Sequence, residues 1–343
     1  MAIAERYVSA LAAGGGAGTS EGTAWTFAEM LTNLAAGQRA NVKADAAYSI
    51  TSAGDHSFTN SGSTDTTVFI IRGYTSTIGD GGRPVITATL GYFDWAFDTG
   101  AVKMNGIVVQ DMEFKGSETG NPVLHVHNGS VVLNCTVENT AAGFTDYVLH
   151  LEDGSAAIAC SVRCNSTTIG SAAVYCDNAE ASLIESAVKS KTLGVVCNKG
   201  FVHRSLVVGD GTGDAGVEFE TDREGRVVEC TIYNFDDLIL ITAAPPADKN
   251  RLTVILNCVL YSGINGINNA DTEKTKVSIT KCFIGATTGA QFSGLGDSDP
   301  QLTVTLTANP FVNTGTDDFS LNEVAGGGAL VRDVALQVPA LLP

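Results

Sequence analysis

His150 with Glu152, Tyr175 with Asp177, and Glu218 with Glu220 are polar pairs whose members stand two residues apart. In an extended chain that spacing puts both members on one face of a strand. Their neighbours complete two columns. One reads His125, His150, Tyr175, Val196, Glu218, Leu240, and the next reads His127, Glu152, Asp177, Asn198, Glu220, Thr242. If each row is one turn of a coil, carboxylates on adjacent turns have backbones ~4.8 Å apart, and those two turns apart about twice that. Both separations overlap the ranges that paired carboxyl groups use to cleave glycosidic bonds. Glu152, Asp177 and Glu220 are therefore the candidates for acid–base chemistry, with His150, Tyr175 and Glu218 as binding residues. Stacked carboxylates could also hold Ca²⁺. The competing reading is a plain solvated face. A chain of net charge −17 must turn its acids outward, and neither column contains a lysine or arginine. Arg223 and Arg226 fall on the following turn. No catalytic residue is assigned on this basis, and no metal or other cofactor.

The elements that must position these columns are short strands repeated along the chain. The phrase Val131-Val132-Leu133-Asn134-Cys135-Thr136-Val137 returns around Cys160, Cys230, Cys258 and Cys282, and more weakly around Met112, Ser186 and Ser205. The steps between these central positions are 23, 25, 26, 19, 25, 28 and 24 residues. A period of this size marks a stacked repeat. Two positions after the central residue stand Phe114, Val137, Val162, Val188, Val207, Ile232, Leu260 and Ile284, all apolar. Period-2 patterning means strand, with the cysteine column facing in. A second strand per repeat carries inward pairs from Leu124/Val126 through Val174/Cys176 to Ala290/Phe292. Glycine, asparagine and aspartate corners, with no helical segment between the strands, describe an all-β coil winding one turn per ~24 residues, a single-stranded parallel β-helix. A leucine-rich repeat has a similar period, but its Leu-x-x-Leu-x-Leu frame is absent.

Composition agrees. Charged residues are 17%, aromatics 7%, and glycines number 38, which suits a glycine-cornered solenoid. Only 20 lysines and arginines stand against 37 acids, so no basic stripe exists to meet nucleic-acid phosphates, and an anionic membrane surface would repel the chain. The eight cysteines lack a CxxC pair or a His/Cys cluster at zinc spacing. They read as small apolar rungs, although adjacent turns are close enough for a disulfide such as Cys135–Cys160. Many free thiols suit folding in a reducing cytoplasm. No export signal is evident at Met1–Arg6, and no apolar run is long enough to span a membrane.

In chain order, residues 1–23 read as a small-residue arm. Residues 24–40 hold a capping helix and the entry to the coil, with Thr26-Phe27-Ala28-Glu29 as a capping box. Residues 41–325 are the β-helix, and 326–343 a tail that closes the far end or packs on a neighbour. Tyr92, Phe93, Trp95 and Phe97 could form a sugar platform, but core or interface packing is the preferred reading. Gly211-Thr212-Gly213-Asp214-Ala215-Gly216 matches a phosphate-loop pattern, yet a strand follows it where a helix is required, so it reads as a wide corner. The position after the cysteine column is polar in early turns, then carries Leu206, Val259 and Phe283 in later ones. Facing outward, these residues point to a partner surface.

With these repeats, the Tyr7-Val8 to Trp25 opening, the Ile71-Arg72-Gly73-Tyr74 turn and the Asp318-Phe319-Ser320-Leu321 ending, the chain resembles the right-handed parallel β-helix superfamily of pectate-lyase-like proteins, of the kind found in bacteria and tailed phages. The resemblance covers roughly residues 40–325. It implies a right-handed coil, and a function anywhere from polysaccharide lyase or glycoside hydrolase to non-catalytic virion protein. A lyase of this superfamily needs stacked carboxylates on Ca²⁺ and a nearby arginine or lysine base, and the columns lack the base. The resemblance also points to a homotrimer on the virion surface, as a capsid decoration or tail spike. Its partners would be other capsid or tail proteins and, as an alternative, a host surface glycan.

Overall fold

The computed structural model describes residues 3–35, 37–58, 69–95, 106–177, 180–220, 225–242, 252–270, 276–294 and 301–332. Phe97, Arg223 and the end of the tail lie outside them. Each regular turn lays one strand on each of three faces. In one turn these are Val131–Leu133, Thr136–Asn139 and Tyr147–Glu152, and in the next Ala156–Ile158, Ser161–Cys164 and Ala172–Asp177. Equivalent strands pair in parallel with side chains in register: Val132 opposite Ala157, Val137 opposite Val162, Leu149 opposite Val174. The result is a parallel β-solenoid with three sheets, called first, second and third here in the order each turn visits them. Inward residues of all three fill one continuous core. The inward pairs hold from Leu124/Val126 to Ile267/Asn269 and fail at Ala290, which is exposed.

The corner between the first and second sheets explains the recurring phrase. It is not one strand but two, broken by a residue in the left-handed region: Asp111, Asn134, Ala159, Glu185, Arg204, Glu229, Asn257 and Lys281 all have φ between +49° and +59°. Asparagine and aspartate tolerate that conformation best, and the others adopt it at some cost. The backbone ladder nevertheless continues around the bend. The N–H of Asn134 donates forward to Ile158 O (2.9 Å), and that of Ser161 donates back to Cys135 O (2.9 Å). The pattern repeats down the coil.

The cysteine column has its own reason. A small inward side chain at the bend can reach the carbonyl two residues before it: Cys160 Sγ lies 3.3 Å from Ile158 O and 3.3 Å from Val132 O on the previous turn. Ser186 and Ser205 make the same bond, at 2.8 and 2.9 Å. Their hydroxyls also accept the N–H of the previous turn's corner residue, Cys160 and Ser186. Cysteine and serine share the site because each is small and donates. All eight thiols are free and buried.

Both ends differ from the sequence expectation. The expected arm of residues 1–23 contains the first rung of the first sheet, Ala4–Val8, paired with Gln38–Lys43. The glycine-rich link folds back onto Trp25. Gly18 sits at φ +66°, and a Cβ there would lie 2.5 Å from the indole. The helix spans Phe27–Asn33 and is shorter than the expected cap. Its capping box is formed, with Thr26 Oγ1 accepting from Glu29 N (3.2 Å) and Glu29 Oε2 from Thr26 N (2.8 Å). Phe27 turns its ring to Tyr48 and Phe93 and closes the end of the core. Phe93 and Trp95 are core residues, as preferred over a sugar platform.

Leu206, Val259 and Phe283 do point outward from the second sheet, but they are not available to a partner. The antiparallel pair Phe311–Asn313 and Asp318–Leu321, followed by the short helix Gly328–Arg332, lies back along this flank. Phe311, Phe319 and Val331 bury the three residues in a second apolar cluster edged by Tyr233 and Tyr261. Lys189 Nζ holds the turn of that pair through Asp317 (2.9 Å). The apolar column serves the chain's own C-terminal segment.

Two outcomes are expected. Thiol reagent added to the folded protein will label none of the eight cysteines, and all eight will react once denaturant unfolds it; fewer than eight on unfolding would mean disulfides. Phe283→Ala will lower stability to urea by about 3–5 kcal/mol. A loss under ~1 kcal/mol would mean the flank is not packed as described.

Candidate functional site

The third sheet brings the sequence candidates onto one outward face. His150 pairs with Tyr175 and Glu152 with Asp177 across one step of the ladder, and Tyr175 pairs with Val196. Val196 then faces Glu218, and Glu218 faces Leu240. The second column continues through backbone bonds from Asn198 N to Cys176 O and from Glu220 N to Cys197 O, both 3.0 Å. Asn198 therefore separates Asp177 from Glu220, and its amide donates to Asp177 Oδ1 (2.9 Å). All six candidates share the face, with Glu152 and Asp177 adjacent and Asp177 and Glu220 two turns apart.

At the N-terminal end of the face, the structure gathers residues to which the sequence had given no role. Asp94 stands opposite His125 in register, and His125 opposite His150. His125 Nδ1 is 3.5 Å from Asp94 Oδ1 and 3.3 Å from His127 Nε2. Glu152 Oε2 is 2.8 Å from His127 Nδ1 and 3.3 Å from His125 Nε2. The rings of His125 and His150 stack with centroids 4.0 Å apart. His150 Nε2 is buried without a hydrogen-bond partner and lies 4.0 Å from Asp177 Oδ2. Asp94, His125 and His127 can point ligand atoms within 4.8 Å of one another, as can His125, His150 and Glu152. The sequence holds no His/Cys cluster at zinc spacing, and these groups come together from different turns. The signal was a two-residue spacing combined with the turn period, which a search for local zinc spacing does not see.

Burial controls the protonation of His125 and His150. It pushes His125 down to about 2, with His150 and His127 adding to the effect. Burial likewise lowers His150 to about 4, against the opposing pull of Asp177. Both imidazoles are neutral at pH 7. Tyr147 and Tyr175 stack with centroids 4.2 Å apart beside His150.

The C-terminal half of the face behaves in the opposite sense. Glu218 sits between Val196 and Leu240 on the neighbouring turns, in an apolar patch that includes Ala172, Leu193, Ala215 and the two tyrosines. Desolvation, aided by Glu220, Asp214 and Asp237, raises Glu218 to about 7. Burial and then Asp177 raise Glu220. A half-protonated carboxyl beside a second acid is a disposition suited to proton transfer.

No family model and no curated protein matches the chain. Among solved structures it is similar to the crystal structure of pectate lyase Pel9A, with a TM-score of 0.57 and 9% sequence identity, covering 91% of this chain and 83% of that one. The fold is a right-handed parallel β-helix. At that identity the likeness establishes architecture and leaves the chemistry of the third-sheet face to its own residues. No helix among the described residues is long and apolar enough to cross a membrane.

Glu218 gives a signed pH prediction. Its folded value lies above the ordinary 4.5, so the folded state binds the extra proton, and this group's contribution falls as pH rises from about 4.5 through about 7. Glu218→Gln will therefore stabilise the protein at pH 8 by on the order of 2 kcal/mol relative to wild type, and the difference will vanish near pH 4. The buried histidines act oppositely in that window, so the comparison must be of variant with wild type at each pH. Equal urea midpoints at pH 8 would show that Glu218 is solvated.

Proposed function

We propose that this chain is a non-enzymatic structural protein of a tailed-phage particle, a β-helical trimer displayed on the surface as a capsid decoration or tail spike and folded in the host cytoplasm. The observation that carries the reading is the makeup of the third-sheet face. Its acids, imidazoles and tyrosines engage one another across successive turns, and neither column holds a lysine or arginine to abstract a proton from an acidic sugar. The closed end under the helix Phe27–Asn33 and the self-covered flank over Phe283 favour a rigid surface element. The resemblance of the sequence's opening and ending to β-helix proteins of bacteria and tailed phages motivates the virion setting. The net charge of −17 keeps such a protein soluble at high local concentration and argues against nucleic-acid or membrane partners.

A second reading has one specific observation in its favour. Glu218, about half-protonated near neutrality beside Glu220, could donate a proton to a glycosidic oxygen, with Asp177 or Glu152 as the partner carboxylate and Tyr175 and His150 contacting the sugar. The protein would then be a depolymerase or glycan-binding spike.

Image reconstruction of purified particles separates the two. The first reading expects three copies around a three-fold axis at head or tail, and a trimer by light scattering at micromolar concentration. Absence from particles, or a monomer in solution, would contradict it. Release of reducing or unsaturated ends from host polysaccharide, lost on Glu218→Gln and Asp177→Ala, would establish the second instead.

A further inference from the structure

We propose that Asp94, His125 and His127 form a binding site for one divalent transition-metal ion of the zinc class, completed by Glu152 as the group that orients both imidazoles. The tautomers decide it. A carboxylate only accepts hydrogen bonds, and Glu152 Oε2 is within reach of His127 Nδ1 (2.8 Å) and His125 Nε2 (3.3 Å). Those nitrogens therefore carry the protons. The opposite nitrogens, His127 Nε2 and His125 Nδ1, are left with lone pairs that face each other at 3.3 Å. Asp94 Oδ1 lies 3.5 Å from the second of them. Three ligand atoms within 4.8 Å of one another, two of them imidazole nitrogens, make a set that one cation can join.

The separations select the cation. Metal–nitrogen and metal–oxygen bonds of 2.0–2.2 Å in tetrahedral geometry put neighbouring ligand atoms roughly 3.3–3.5 Å apart. The observed 3.3 and 3.5 Å match that edge. Ca²⁺ prefers six to eight oxygens at longer distances and finds one carboxylate and two imidazoles here. A carboxylate receiving the outer N–H of metal-bound histidines is the usual orienting arrangement. The three ligand side chains are 14–23% exposed, so the fourth position opens to solvent.

The ligands come from two successive turns, with Glu152 on a third. A bound ion would therefore clasp the third sheet across neighbouring turns. The proposal stands independently of whether the chain belongs to a particle or acts on a glycan.

The test is titration of chelator-treated full-length protein with ZnCl₂, followed by calorimetry and by Tm. One Zn²⁺ per chain and a raised Tm are expected, with Co²⁺ giving the intense visible absorption of a tetrahedral site. Asp94→Asn and His127→Gln should each weaken binding at least tenfold, and Glu152→Gln by about 10–100-fold, with unchanged far-ultraviolet dichroism. Should a variant misfold, the wild-type stoichiometry and Co²⁺ spectrum still decide. No binding by wild type at a roughly hundredfold excess of Zn²⁺, Ca²⁺ binding as tightly as Zn²⁺, or Zn²⁺ binding untouched in folded Asp94→Asn and His127→Gln would each overturn the proposal.

Discussion

Everything on the outside of this protein depends on the hydrogen bond from one turn's backbone to the next. A coil with one strand per face has no second strand within its own turn to satisfy its amides, so every N–H must be met from above or below, corners included. The bend between the first and second sheets meets that demand with one residue in the left-handed region and one small inward donor. Asn134 and Cys135 illustrate the pair: the first donates forward to Ile158, and the second receives the amide of Ser161. Because the ladder keeps its register through these bends, slipping only at the last, between Thr280 and Cys282, side chains two faces away remain aligned. Asp94, His125, His150 and Tyr175 line up on the third sheet as a consequence of that bend.

Register converts modest residues into a dense site. No two of His125, His150 and Tyr175 are close in sequence, yet stacking at about one ladder spacing brings them into contact and removes water from them. The same face then holds imidazoles kept neutral at one end and a carboxyl raised to about 7 at the other. Opposite outcomes arise from one cause, the exclusion of water. At the first end the neighbours are other rings; at the second they are Val196 and Leu240, with acids adding repulsion.

Much of this was legible in the sequence. The turn period, the inward cysteine column, the capping box at Thr26 and the shared face of His150, Glu152, Tyr175, Asp177, Glu218 and Glu220 all follow from alternation and spacing. Three features did not, each for a physical reason. Period-2 counting back from Cys135 points Leu133 inward, whereas Val132 is the buried residue, because the left-handed residue Asn134 takes up one position and shifts the phase. Leu206, Val259 and Phe283 looked like a partner surface because outward direction is readable and coverage is not; the covering residues Phe311 and Phe319 lie downstream, past the last regular turn. The cluster of Asp94, His125 and His127 was hidden because its ligands are assembled by pairing between turns, which no local motif records.

The account's central claim, that the turns stack in register around a bend lined by small donors, can be read directly from sulfur positions in a crystal. Anomalous scattering should place Cys135 next to Cys160, Cys258 next to Cys230 and Cys282 next to Cys258 along one axial file at about 4.8 Å steps, with Cys176 and Cys197 adjacent in a second. Sulfurs paired at about 2 Å, or scattered away from a common axis, would contradict it.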